Sequence, residues 1–498
     1  MNVNPITRLD YPDLDVIRVE DTYYMVSTTM HFMPGCEILQ SFDLVHWEHA
    51  TYVYETLDHT DAQQLKSGQN IYGQGMWAAS LRYHEGRFYI CFVANDTRKT
   101  YLYTSEKIDG PWKKQLIEGF YHDGSLLFDE DGRNYIVYGN DEIWITELNE
   151  DLTAPKKDGL HRLLVSDHKN PELGYEGSHI QKINGYYYIF LVHSLRDRWM
   201  RTEACFYSDS LEGEFTGGDV LCDDRGYCGQ GVAQGGIVDT PDGKWYAMLF
   251  QDSGAVGRIP ILLPVTWKDH FPVFGQNGHV PEEIEVHSTR PGYIYQPLVG
   301  SDDFCNGLLP RWQFNHDPDP RYYHLDALQG TYTITTREVC TELTQAVNTL
   351  TQRMSYPSCA AEVTVDASAL KEGDVAGLCA LQGCYAAVGI TKHHGKYEVL
   401  MLDKKEDGIL DMTERTVVES HQMDFRLEAD FCNMKDEARC YYRVNKGDWL
   451  PIGTVHKLYF KLDHFTGCRF GLFCYAAEET GGSACFRDFK YYDVDEIS

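Results

Sequence analysis

Basic residues are scarce in this chain of 498 residues: 44 Lys and Arg stand against 75 Asp and Glu, a formal net charge of −31. A chain this acidic repels phosphate backbones and anionic lipid, which excludes nucleic acid and membrane surfaces as general partners. No hydrophobic run approaches the roughly 18 residues of a membrane-spanning helix. The 15 cysteines, an odd number, include no CxxC pair, so a zinc ribbon or a thioredoxin-type site has no support. So many thiols suit a reducing compartment. The opening MNVNPITRLDYPD also lacks the basic and apolar stretches of a secretory leader, and the two observations together predict a cytoplasmic protein. What the chain does have is apolar and aromatic material, 43% and 13% of it, which excludes disorder and supports a large core. Its length predicts two to four domains.

Helical periodicity is rare over the first 275 residues. Short runs of Val, Ile, Tyr and Phe alternate with Gly, Asp and Asn, the pattern of strands and hairpins. One hairpin recurs: VIRVEDTYYMVST from Val16, LRYHEGRFYICFV from Leu81, LLFDEDGRNYIVYG from Leu126, HIQKINGYYYIFLV from His179 and IVDTPDGKWYAMLF from Ile237. The turns fall at Asp21, Gly86, Gly132, Gly185 and Gly243, spaced as propeller blades with loop insertions would be. SFDLVHW at Ser41, SEKIDGPW at Ser105 and SDSLEGEF at Ser208 read as outer strands of the same blades. Five repeats of four strands predict an all-β, five-bladed β-propeller over 1–285. A linker follows at 286–300. The strands of 301–498 lack the blade hairpin and predict a β-sandwich.

Aligned on the inner strand of each blade, the channel-entrance positions are Asp13, Ala78, Asp123, Glu176 and Gln234. Three carboxylates in register, each from a different repeat, converge on one pocket. Like charges there raise one another's pKa, and shifted carboxylates are what acid–base chemistry uses. The chemistry this predicts is glycoside hydrolysis: one carboxyl group protonates the leaving oxygen and another activates water on the opposite face of the sugar. Turn-forming Asp residues and a calcium site are the competing readings of the trio.

These segments resemble glycoside hydrolase family 43, the β-xylosidases and α-L-arabinofuranosidases built on a five-bladed propeller, and the likeness spans nearly the whole chain. YPDLDVIRVEDTYYMVSTT is similar to the family's opening motif, which implies that Asp13 is the general base. HDGSLLFDEDG implies that Asp123 tunes the acid's pKa, and YEGSHIQKINGYYYIF implies that Glu176 is the general acid. GAVGRIPILLPVTW implies a substrate-binding arginine at Arg258. The region 301–498, with NTLTQR at Asn348, is similar to the concanavalin-like β-sandwich of the xylosidase/arabinofuranosidase branch. Two positions depart from the pattern. Leu14 stands where a proline is usual, and Gln234 stands where many relatives place a histidine near a water-ligated ion.

The resemblance implies an exo-acting, inverting enzyme that removes terminal arabinofuranosyl or xylosyl residues from hemicellulose-derived oligosaccharides. Phe32, Trp77, Gln234 and Arg258 are the expected substrate contacts; in the second-domain loop DHFTGCRFG, Phe465 over the pocket rim is weighed as the less favoured reading and is not among them. No metal ligands are assigned and no cofactor is required; a structural calcium ion and a homo-oligomer are left open. The competing reading from another class is a non-catalytic carbohydrate-binding propeller, against which the three carboxylates weigh.

Overall fold

The computed structural model describes residues 2–493. Residue 1 of the expected propeller range and residues 494–498 of the expected sandwich range, with the end of the FKYYDV strand, lie outside the described residues. The fold is nearly all β; the only helical elements among the described residues are four short 3-10 turns. Five four-stranded antiparallel sheets follow one another along the chain, with inner strands Asp15–Val19, Met76–His84, Ser125–Phe128, Glu176–Ile183 and Val232–Asp239. They form blades 1 to 5 of a propeller. Each blade is one contiguous segment, so the ring has no strand shared between first and last blades. Packing closes it instead. Val16, Tyr23, Met25 and Leu39 of blade 1 share a core with Tyr246, Met248, Phe250 and Leu262 of blade 5, and similar cores fill the other seams.

The hairpin glycines Gly86, Gly132, Gly185 and Gly243 all take positive φ, between 77° and 85°. In blade 1 that conformation falls on Glu20 (φ 56°) rather than on the expected Asp21. The expected outer strands at Ser41, Ser105 and Ser208 are corrected. Each serine ends the third strand of its blade, and the residues after it form the turn to the fourth. The serine hydroxyl accepts backbone N–H groups two or three residues on, from Leu44, Lys107 and Ser210, so the repeated signal marks a turn rather than a strand.

Residues 286–300 carry no strand and lie on blade 1, where Tyr293 donates to Glu48, Arg290 pairs with Asp21 and the Tyr293 ring packs on Phe42. Beyond them, sheets of eight and seven strands enclose the largest core, in which Phe425, Phe470 and Phe486 are buried together. The eight-stranded sheet ends on a propeller segment. Phe32–Met33 pairs with Gln313–Asn315, so the two domains share a sheet edge.

Candidate active site

A repeated hydrogen bond sets the register between blades. The side chain at one inner-strand position accepts the N–H one position further along the next blade: Asp15 from Leu81, Ser80 from Leu126 and Ser125 from Ile180. Two residues upstream of this register stand Asp13, Ala78 and Asp123, and in blade 4 Gly177. Glu176 is therefore one residue before the position expected for it. Gly177 takes the left-handed conformation (φ 67°) that Asp13, Asp123 and Gln234 share at 51°, 47° and 69°, and Glu176 is the residue before it, opening a β-bulge to His179 as Ala233 opens one to Gly236 in blade 5. A Cβ on Gly177 would come within 2.7 Å of the Gln234 side chain, so only glycine fits there.

The bulge delivers Glu176 to a cavity of about 600 Å³ between the domains, lined by Trp77, His122, Trp199 and Arg201 of the propeller and by Phe460 and Phe465 of the sandwich. Asp13 and Asp123 sit deeper, 8% and 7% exposed. Asp13 is pinned at both oxygens: Thr28 Oγ1 donates to Oδ2 at 2.8 Å, and Arg258 Nη1 donates to Oδ1 at 2.8 Å. Two donors on opposite oxygens fix the orientation of the Asp13 side chain. Glu176 takes a hydrogen bond from Asn140 Nδ2 at 2.9 Å.

Asp123 accepts the Gly177 N–H at 2.9 Å. Burial pushes its carboxyl pKa up, the charges of Glu176 and Asp13 push the same way, and His122 pulls against them. His122 was not reached from the sequence. Its Nε2 lies 3.4 Å from Glu176 Oε2 and 3.5 Å from Asp123 Oδ2. Burial disfavours its charged form, but Asp123, Glu176 and Asp13 outweigh burial and raise the pKa to about 9. A cation at neutral pH is thereby lodged among three acids. The signal lies in YHDGSLL, directly beside Asp123. His122, Asp123 and Glu176 each bring one ligand atom within 4.8 Å of the others and could hold a cation once His122 has lost its proton.

The remaining expected contacts divide. Trp77 lines the cavity, its ring 5.8 Å from those of His122 and Phe465, and its indole N–H has no hydrogen-bond partner among the described residues. Phe465 lines the pocket, the less favoured reading of its loop; its ring stacks 4.4 Å from the Arg258 guanidinium and its carbonyl accepts from Arg258 Nη2 at 3.5 Å. Arg258 is buried; Nη1 donates to Asp13 and Nη2 to Phe465, while Nε has no hydrogen-bond partner among the described residues. Gln234 packs on Gly177, and its N–H donates to Glu203. Phe32 is corrected. It is 0% exposed, paired into the interdomain sheet under the Arg469 guanidinium, and cannot line an open pocket.

Residues 3–272 match the family model described as Glycosyl hydrolases family 43, and residues 301–492 match a Beta xylosidase C-terminal Concanavalin A-like domain. A Beta-xylosidase of Formosa agariphila is 27% identical, over 99% of this chain and 89% of the relative. A non-reducing end alpha-L-arabinofuranosidase of Bacteroides ovatus is 26% identical, over 66% of this chain and 63% of its own length. Among solved structures, a bifunctional GH43-CE protein of Bacteroides eggerthii superposes with a TM-score of 0.92 at 42% identity. That match covers all of this chain, which spans 64% of the length of that protein. A five-bladed propeller carrying a carboxylate trio, joined to a concanavalin-like sandwich that completes the pocket, places the chain in glycosyl hydrolases family 43.

Proposed function

We propose that the cavity removes terminal pentose residues, α-L-arabinofuranosyl or β-D-xylosyl, from hemicellulose-derived oligosaccharides with inversion at the anomeric carbon. The observation that carries this reading is the contrast between two carboxyl groups of one site. Asp13 is buried, held at both oxygens by donors from Arg258 and Thr28, and serves as the base that deprotonates water. Glu176 stands at the cavity wall beside Asp123 and His122 and serves as the acid that protonates the leaving oxygen. Asp123, itself pushed towards neutrality, sets the electrostatic field in which Glu176 works. Trp77 supplies a ring face to the terminal sugar. Gln234 and Arg258 act on it from behind, through Gly177 and Asp13.

The relatives named for xylosidase and for arabinofuranosidase activity support a pentose of either ring form. Both proton-transfer groups are side chains of this protein, so no cofactor is needed for the proposed steps, and chelation with EDTA should leave turnover unchanged. Fifteen cysteines, none of them in a disulfide, support a cytoplasmic site of action. The deciding experiment pairs nitrophenyl α-L-arabinofuranoside and β-D-xyloside for kinetics with NMR of the first anomer formed. We expect turnover of at least one substrate with inverted configuration; retained configuration would refute the single-displacement scheme.

A further inference from the structure

The cavity is unevenly exposed. Glu176, His122 and Arg201 are largely covered, whereas Trp199 is 45% and Leu462 70% exposed. These two residues mark the mouth. Trp199 lies in the connection between blade 4 strands Tyr186–Ser194 and Arg201–Ser208, and it is the only exposed tryptophan among the described residues. An indole left in water forgoes a large hydrophobic gain, which makes an exposed one beside a cavity informative.

Trp199 is also held in place. The Arg201 guanidinium lies 5.4 Å from its ring centroid and 5.3 Å from that of Phe250. Arg201 is buried and fixed in turn by Asp252, whose Oδ2 accepts from Nε at 2.7 Å. The cation is thus sandwiched between a core ring and a surface ring, and the indole keeps a face towards solvent at the pocket entrance.

We propose that Trp199 is the stacking platform for the leaving-group sugar, and so a residue that sets which oligosaccharides are cleaved. The argument rests on the reading of Glu176 as the acid. In a pocket closed at its inner end the terminal sugar occupies the depth, and the glycosidic oxygen meets Glu176. The next sugar then lies between Glu176 and the mouth, where Trp199 waits. One face of a sugar ring is lined by C–H bonds, and such a face packs on an indole while the hydroxyls stay in water.

The test compares a pentosyl fluoride, whose leaving group is a single atom, with a disaccharide carrying the same terminal pentose. In Trp199→Ala the ratio of kcat/KM for the disaccharide to that for the fluoride should fall about tenfold. Trp199→Phe, which retains a ring face, should keep most of the ratio. Equal losses on both substrates, or no loss on either, would overturn the proposal. Tryptophan fluorescence of the unmutated protein supplies a second readout: titration with the leaving sugar should shift the emission, and the shift should vanish in Trp199→Phe. An emission shift that persists in Trp199→Phe would also overturn it. If the unmutated protein cleaves neither substrate, the pentosidase reading fails; the fluorescence titration still decides the platform.

Discussion

Asp13 and Glu176 carry the same functional group into different surroundings, and their variants should separate accordingly. With the roles proposed above, Asp13→Asn removes the acceptor of water's proton whatever the leaving group is, so kcat should drop by roughly two to four orders of magnitude on aryl and natural glycosides alike. Glu176→Gln removes the proposed proton donor, which a good leaving group does not need. Its loss should be large on oligosaccharides and much smaller on an activated aryl glycoside; a uniform loss would argue against the acid role. His122 is the residue that only geometry reveals. Its cation pulls the Asp123 carboxyl pKa down against burial, so His122→Asn should raise that pKa further and displace the kcat/KM–pH profile upward, by on the order of one unit. An unchanged profile would show that His122 is electrostatically idle.

Within the blades, the inner strands were legible because each hairpin repeats one pattern of aromatic residues and turn glycines. How the blades are fastened was not legible. Asp15 of blade 1 accepts from Arg82 and Leu81 of blade 2 and lies 3.1 Å from His179 of blade 4. Arg82 also donates to Ser125 and Leu126 of blade 3 and to Ile180 of blade 4. One ion pair therefore ties four blades at the channel wall. Burial alone would raise the Asp15 carboxyl, but Arg82 and His179 outweigh it and hold the pKa at about 2. Because the folded value lies below the unfolded value of 3.8, this contribution is complete above pH 4 or so and fades as pH falls towards 2. Arg82→Met strands a buried carboxylate and should cost about 3–5 kcal/mol, read as a lowered urea midpoint at neutral pH. The one-residue displacement of Glu176 belongs to this scale as well. In blade 4 the left-handed position belongs to Gly177 and the carboxylate to the residue before it, a shift that alignment of the blade hairpins does not show.

At the scale of the whole molecule, the sandwich builds part of the site. Asp10, three residues before Asp13, accepts the N–H of Arg258 on one oxygen and that of Gly467 on the other, while its carbonyl accepts from Arg353. The loop bearing the proposed base is thus clamped between domains. The same seam buries His31, His316 and His464 around Tyr72, with ring centroids 4.8–4.9 Å from His31 and Arg469 nearby. Burial pushes all three imidazoles down, His464 to about 3; neighbouring histidines add to it at His31 and His316, and Arg469 adds to it at His31 and His464. They are neutral when folded, yet bind protons near pH 6.5 when unfolded. Their contribution to stability is therefore complete above about pH 6.5 and is lost as pH falls towards 3, by at most about 1.4 kcal/mol per pH unit for each histidine. Melting temperatures measured between pH 7 and 5 should fall less steeply in His464→Gln than in the unmutated protein; parallel slopes would sink this account. The sequence alone determined the all-β class and the blade count, because repeats and turn residues are local and the blades restate them. The tertiary structure decided the rest: the cation among the acids, Phe32 under Arg469 instead of in the pocket, and a cavity wall drawn from both domains. Each of these depends on which distant segments meet in space, and no local pattern of residues encodes such a meeting.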